Sequence, residues 1–166
     1  MEQFEIERKF LIKYPDMAML RTHAEGTEIV QTYLLSPAKG VTARVRKRGR
    51  DGAYTYTHTV KTKINPMRRI EDEREISRAE YEELLQTADP KRRTIHKERW
   101  CLDYQGQMFE IDVFPFWNDR AVMEIELTDE EQAVAFPPEI RIIKEVTGDK
   151  RYTNASMAKE IPNETF

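Results

Sequence analysis

The 166-residue chain holds one cysteine, Cys101, and three histidines, His23, His58 and His96. A lone cysteine excludes an internal disulfide, and so few soft ligands argue against a structural zinc site. No apolar run nears the roughly 18 residues of a membrane-spanning helix, and charges stand where a secretory signal would carry its apolar core. Charge of one sign is not in excess either. With 27 basic against 30 acidic residues the net charge is only -3, which argues against a general binder of nucleic acid or membrane surfaces. The Gly-x-x-x-x-Gly-Lys-Ser/Thr and Gly-x-Gly-x-x-Gly phosphate loops are absent, as is a Gly-x-Ser-x-Gly elbow. These absences predict a cytoplasmic chain folding as a single domain over residues 1–166, without nucleic-acid or membrane partners.

What is present is charge, at 34% of residues beside 39% hydrophobics, enough of the latter for a core. The charges are ordered with period two, the signature of a strand. At the start Glu5, Glu7 and Lys9 fall on one face and Phe4, Ile6, Phe10 and Ile12 on the other, with Arg8 its one polar member. Residues 28–35 give a second strand, with Gln31 and Tyr33 on a shared face. Residues 41–49 align Thr42, Arg44, Arg46 and Arg48. Across the Asp51-Gly52 turn, residues 54–63 align Thr57, Thr59, Lys61 and Lys63. Residues 69–76 align Glu71, Glu73 and Glu75; residues 93–104 align Lys97, Arg99 and Cys101. Residues 109–113 carry Glu110 and Asp112 against Phe109, Ile111 and Val113, and 121–127 carry Glu124 and Glu126 against Met123, Ile125 and Leu127.

Helices are predicted between strands: 16–23 capped by Asp16, and 78–85 with Ser77 and Glu80 as a capping box. Two more are predicted near the end, from Thr128 through Phe136 before Pro137-Pro138, and a final helical stretch to Ile161.

About eight antiparallel strands with one ionic face each can form a sandwich with charges in water, or a barrel with a charged lumen and an apolar outside under helices. The sorting of signs favours the barrel. Rows of one sign repel themselves, whereas solvent faces ordinarily mix signs. The expected fold is therefore α+β: an eight-stranded antiparallel β-barrel, a tunnel with a polar, charged lumen and a few helices packed outside. Arg44, Arg46, Lys61, Lys97 and Arg99 suit phosphate oxygens. Glu5, Glu7, Glu110, Asp112, Glu124 and Glu126 are hard oxygen ligands suited to Mg²⁺ or Mn²⁺. A divalent cation bridging carboxylates to a polyphosphate satisfies both walls. Arg48, Lys63 and Glu75 continue the rows near strand ends, where solvated charges are expected.

Glu5-Ile6-Glu7-Arg8-Lys9 resembles the Glu-x-Glu-x-Lys signature of the CYTH superfamily, the triphosphate tunnel metalloenzymes. The ordered sequel carries the resemblance along the chain: Arg44-Val45-Arg46, Val60-Lys61, Glu71-Asp72-Glu73, Lys97-Glu98-Arg99, Phe109 to Phe114, Glu124-Ile125-Glu126 and Asp149-Lys150-Arg151-Tyr152. The resemblance implies a single CYTH domain in which Lys9, Arg44, Arg46, Lys61, Lys97 and Arg99 bind triphosphate, joined by Lys150 and Arg151. It implies metal held by Glu5, Glu7, Asp112, Glu124 and Glu126, with two Mg²⁺ or Mn²⁺ ions expected, and Glu71, Glu73 and Glu110 as further lumen acids. Lys9 and Glu5 would act in catalysis. Tyr33 would join them, since similar proteins carry a lumen tyrosine assigned to proton transfer. The implied activity is metal-dependent hydrolysis of a triphosphate, inorganic tripolyphosphate foremost, by a monomer or homodimer. Adenylate cyclisation, thiamine or nucleoside triphosphate hydrolysis, and a non-enzymatic polyphosphate-binding module are the alternatives. For a thiamine ring, Trp117 or Phe116 would be the aromatic contacts.

Overall fold

The computed structural model describes residues 2–166, with side chains from residue 6 onward. Eight strands run antiparallel: β1 (Glu2–Lys13), β2 (Glu25–Tyr33), β3 (Val41–Arg50), β4 (Ala53–Lys63), β5 (Arg68–Ile76), β6 (Ile95–Tyr104), β7 (Gln107–Val113) and β8 (Arg120–Glu126). Their order around the sheet is β5-β4-β3-β2-β6-β7-β8-β1, and β1 pairs back onto β5. The expected eight-stranded antiparallel barrel is what forms.

Closure depends on β1. One edge meets β8 from Glu7 to Lys13; the other meets β5 from Glu2 to Ile6 and then a short ninth strand, β9 (Ile142–Glu145), from Phe10 to Ile12. At about 3.3 Å per residue, a strand this long can serve two partners in succession along one edge. The hairpin turns follow local chemistry. Asp51-Gly52 and Gln105-Gly106 both hold two successive positive φ values, the geometry whose twist matches that of the flanking strands.

Alternation sends apolar side chains outward. Phe10, Ile12, Trp100, Leu102, Phe109, Ile111, Met123 and Ile125 form a buried outer layer on β1, β6, β7 and β8. Helix α1 (Met17–His23) and the segment 127–140 cover it through Leu20, Leu127 and Ile140. Each such side chain contributes roughly 1.5–3 kcal/mol when fully buried. Helix α2 (Arg78–Leu84) covers β3 and β4, where Tyr81 meets Val45, Ala43 and Tyr56. Asp16 and Ser77 accept from the first-turn amides of α1 and α2, as their sequence positions predict.

Two predicted helices are corrected. Residues 128–136 make one turn, in which Thr128 bonds Gln132 and Asp129 accepts from the Glu131 amide, and then run on without helix. Gln132, Val134 and Phe136 are half-buried while Ala133 and Ala135 are exposed, the alternation of an extended chain. Phe136 packs edge-on against Phe10, and the Gln107 side chain bonds the Ala133 carbonyl and Ala135 amide. Covering a sheet with alternate side chains wins over helix propensity. The final stretch is likewise two short pieces, a 3₁₀ turn Lys150–Tyr152 and helix α3 (Asn154–Met157), separated by Thr153, which caps the second.

On the lumen face, charge gives way to apolar side chains at one end. Beyond Lys9, Lys97 and Glu124 in the same phase come Leu11, Ile95 and Val122, and Phe114 follows Asp112. These pack with Tyr33, Trp117, Val146, Tyr152, Met157 and Ala158, so the C-terminal segment plugs that end of the barrel. Trp117 and Phe116 are accordingly part of this plug, stacked around Phe114. Neither lines the lumen cavity, where a thiamine ring would have to meet them. No helix among the described residues is long and apolar enough to cross a membrane.

Candidate active site

The lumen encloses a cavity of about 390 Å³. Its lining includes Lys9, Tyr33, Arg44, Arg46, Lys61, Lys97 and Arg99, and the acids Glu7, Glu71, Glu73, Glu110, Glu124 and Glu126. Strand order sorts them into two arcs. The neighbours β4, β3, β2 and β6 carry Lys61, Arg44, Arg46, Lys97 and Arg99; the neighbours β7, β8, β1 and β5 carry Glu110, Glu124, Glu126, Glu7, Glu71 and Glu73. Lys9 is the cation expected within the acidic arc, facing Glu124 across the β1–β8 pair with Nζ 3.4 Å from Oε1. Burial opposes its charge, but Glu124 and Glu7 outweigh burial and hold its pKa above the ordinary lysine value.

The basic arc is buried. Arg44, Arg46, Lys97 and Arg99 are each at most 9% exposed. Arg44 Nε has no hydrogen-bond partner among the described residues. Burial, then Arg44 and Arg99, pull the pKa of Arg46 well below that of a free guanidinium. A guanidinium does not give up its proton in practice, so burial beside two like charges leaves a place suited to an anion.

Asp112 is the fixed counter-ion of the arc. Its carboxylate accepts from Lys97 Nζ at 2.7 Å and from Arg99 Nε and Nη2 at 2.8 and 2.9 Å. Despite complete burial, Arg99 and Lys97 hold its pKa far below the usual carboxylate range. Sequence reasoning put Asp112 among metal ligands; here its oxygens are engaged by two cations and it is not part of the cavity lining.

The acidic arc is short of cations. Register sets Glu7 opposite Glu126 and Glu110 opposite Glu124, and like charges directly opposite on a sheet destabilise it. Burial, then Glu110 and Glu7, raise the pKa of Glu126. Arg69 pairs with Glu7, and Thr59 donates to Glu73 at 2.7 Å. Among the described residues no three acidic, histidine or cysteine side chains already form a metal cluster; the side chain of Glu5 lies outside the described residues. The donor chemistry fits a hard divalent cation, being all carboxylate with like-charged pairs left facing each other.

Other expected residues fall elsewhere. Lys150 and Arg151 are exposed and off the cavity lining, Arg151 bonding Asp149 and Glu164. Lys63 and Arg48 both line the cavity, Lys63 exposed and Arg48 half-buried with its Nε donating to Thr27 at 3.0 Å. Arg69, Gln31 and Asn154 belong to the site although sequence reasoning assigned them no role in it. Arg69 stands in phase with Glu71 and could have been found. Gln31 shares the lumen phase of Tyr33 and is fully buried against Arg46. Asn154 comes from α3 and accepts from Lys97 Nζ at 3.1 Å; no periodicity announces it.

A closed antiparallel barrel with a two-signed lumen defines a class, and the chain belongs to it: residues 3–153 match the CYTH domain family. It is 34% identical over 161 residues to an inorganic triphosphatase of Nitrosomonas europaea, covering 95% of this chain and 99% of that one. It is also 34% identical over 157 residues to an inorganic triphosphatase of Acetivibrio thermocellus, covering 93% of each. A crystal structure of an inorganic triphosphatase superposes with a TM-score of 0.59 at 32% identity, covering 96% of this chain and 97% of that one.

Proposed function

We propose that this protein is a divalent-metal-dependent hydrolase of triphosphates, with inorganic tripolyphosphate its foremost substrate. The observation that carries the proposal is the pair of opposed arcs, one with buried donors in excess of its anions, the other with facing carboxylates. Arg44, Arg46, Lys61, Lys97, Arg99 and Lys9 bind the phosphate oxygens. Glu7, Glu124 and Glu126, together with Glu5, hold Mg²⁺ or Mn²⁺, while Asp112 holds Lys97 and Arg99 in place. The bound cation supplies charge neutralisation and a water of lowered pKa. The base arc stabilises the charge spread over the transferring phosphoryl group. The Tyr33 hydroxyl, on β2 within that arc, serves as proton carrier. The relatives named as inorganic triphosphatases support the substrate assignment. So does the lining, in which Tyr33 is the one aromatic side chain among the described residues, leaving an adenine or thiamine ring little to stack on.

The test is phosphate release from tripolyphosphate, ATP and pyrophosphate with Mg²⁺ or Mn²⁺, beside an EDTA control. Metal-dependent release from tripolyphosphate, lost in Lys61→Ala and Glu124→Gln, is expected. Cyclic AMP from ATP, or tight binding of tripolyphosphate without release, would overturn the assignment.

A further inference from the structure

On the lumen side of β2 lies a residue that neither lines the cavity nor meets solvent. Gln31 is fully buried and joins two cavity groups: its Oε1 accepts from Arg46 Nε at 3.0 Å and Nη2 at 2.8 Å, and its Nε2 donates to the Tyr33 hydroxyl at 2.9 Å. We infer that Gln31 is a positioning residue whose neutrality keeps both the charge of Arg46 and the proton of Tyr33 available to the bound anion. The inference rests on the cavity being a polyphosphate site.

The orientation of the amide is forced. A guanidinium only donates, so the amide oxygen must face Arg46 and the amide NH₂ must face Tyr33. An NH₂ cannot accept, so the Tyr33 oxygen does, and its own hydrogen is turned away from Gln31. Tyr33 lines the cavity, so that hydrogen can serve a substrate oxygen. The charge argument runs in parallel. Asp112 compensates Lys97 and Arg99 with a full negative charge, whereas Gln31 satisfies two N–H groups of Arg46 and leaves its charge uncancelled. A glutamate here would form a strong paired contact with the guanidinium and would accept a hydrogen bond from the Tyr33 hydroxyl, turning its hydrogen away from the cavity. Both changes would favour the empty protein over the bound one.

The test compares Gln31→Glu and Gln31→Met with the wild type, reading melting temperature and tripolyphosphate Kd without metal, then kcat, KM and the pH profile with Mg²⁺. Gln31→Glu should melt no lower than wild type yet bind tripolyphosphate about tenfold or more weakly, roughly one charge-assisted hydrogen bond. Gln31→Met should melt lowest, because it orphans buried donors, but should bind better than Gln31→Glu because Arg46 keeps its charge. Between the two variants affinity and stability thus rank in opposite orders. If affinity instead follows melting temperature, or Gln31→Glu binds within twofold of wild type, Gln31 is core filling and the inference is wrong. A wild-type protein that binds tripolyphosphate without hydrolysing it would sink the proposed activity, and the ranking of Kd values would still decide the role of Gln31.

Discussion

Replacing Asp112 by Asn removes one charge from a shell in which two cations converge on it. The Asp112 side chain is 2% exposed, those of Lys97 and Arg99 are 1% and 9% exposed, and three charge-assisted hydrogen bonds end on its oxygens. Asparagine has nearly the same shape, keeps one acceptor and turns an NH₂ toward a donor. Removing one partner of a buried pair costs about 3–5 kcal/mol. For a domain of this length that lowers the melting temperature by roughly 6–20 °C. Glu110→Gln is the internal control, because Glu110 reaches Arg99 at 3.3 Å with its side chain 35% exposed. Solvent screening should hold that cost below about 1 kcal/mol. The assay is thermal unfolding in EDTA, with and without tripolyphosphate. Asp112→Asn should melt far lower, and tripolyphosphate should restore more to it than to wild type, the anion replacing the lost charge. The reasoning is refuted if the two variants melt alike in EDTA, or if the loss in Asp112→Asn emerges only when Mg²⁺ is present. The second result would make Asp112 a metal ligand after all.

The other expectations are narrower. Arg44→Met removes a buried Nε lacking a partner among the described residues, so melting temperature should hold or rise while tripolyphosphate Kd, read by calorimetry, weakens roughly 10–100-fold. Glu126 has its pKa raised by burial, Glu110 and Glu7. A raised carboxylate pKa means that its ionisation costs stability above the unfolded value of about 4.3. That cost is relieved as pH falls through the folded pKa, and by a bound cation at neutral pH. The rise in melting temperature on adding Mg²⁺ should therefore be large at pH 7.5, shrink at pH 5, and be much reduced in Glu126→Gln at both. Phe136→Ala strips the ring packed 5.0 Å from Phe10. Being half-buried, it should cost about 2–3 kcal/mol, read by urea unfolding, while turnover at temperatures where the variant is folded stays within twofold.

Much of this architecture was legible because a strand repeats every two residues, and a charge at each second position shows itself without any partner. Arg44, Arg46, Lys61, Glu124 and Glu126 could be assigned to one face of their strands from spacing alone, and the segregation of signs made a closed, charged lumen the better arrangement. The Asp51-Gly52 turn and the Asp16 and Ser77 caps were local chemistry and formed where the residues stood. Alternation cannot say which strand lies beside which. Only the order β4-β3-β2-β6 against β7-β8-β1-β5 gathers most lumen cations into one arc and the lumen acids into the other, sets Glu7 against Glu126, and brings Asp112 onto Lys97 and Arg99. The extended path of residues 132–136, the C-terminal plug, and the bonds from Gln31 and Asn154 to the base arc were likewise decided in three dimensions. Each depends on what a distant strand presents, a long-range contact that neither propensity nor periodicity encodes.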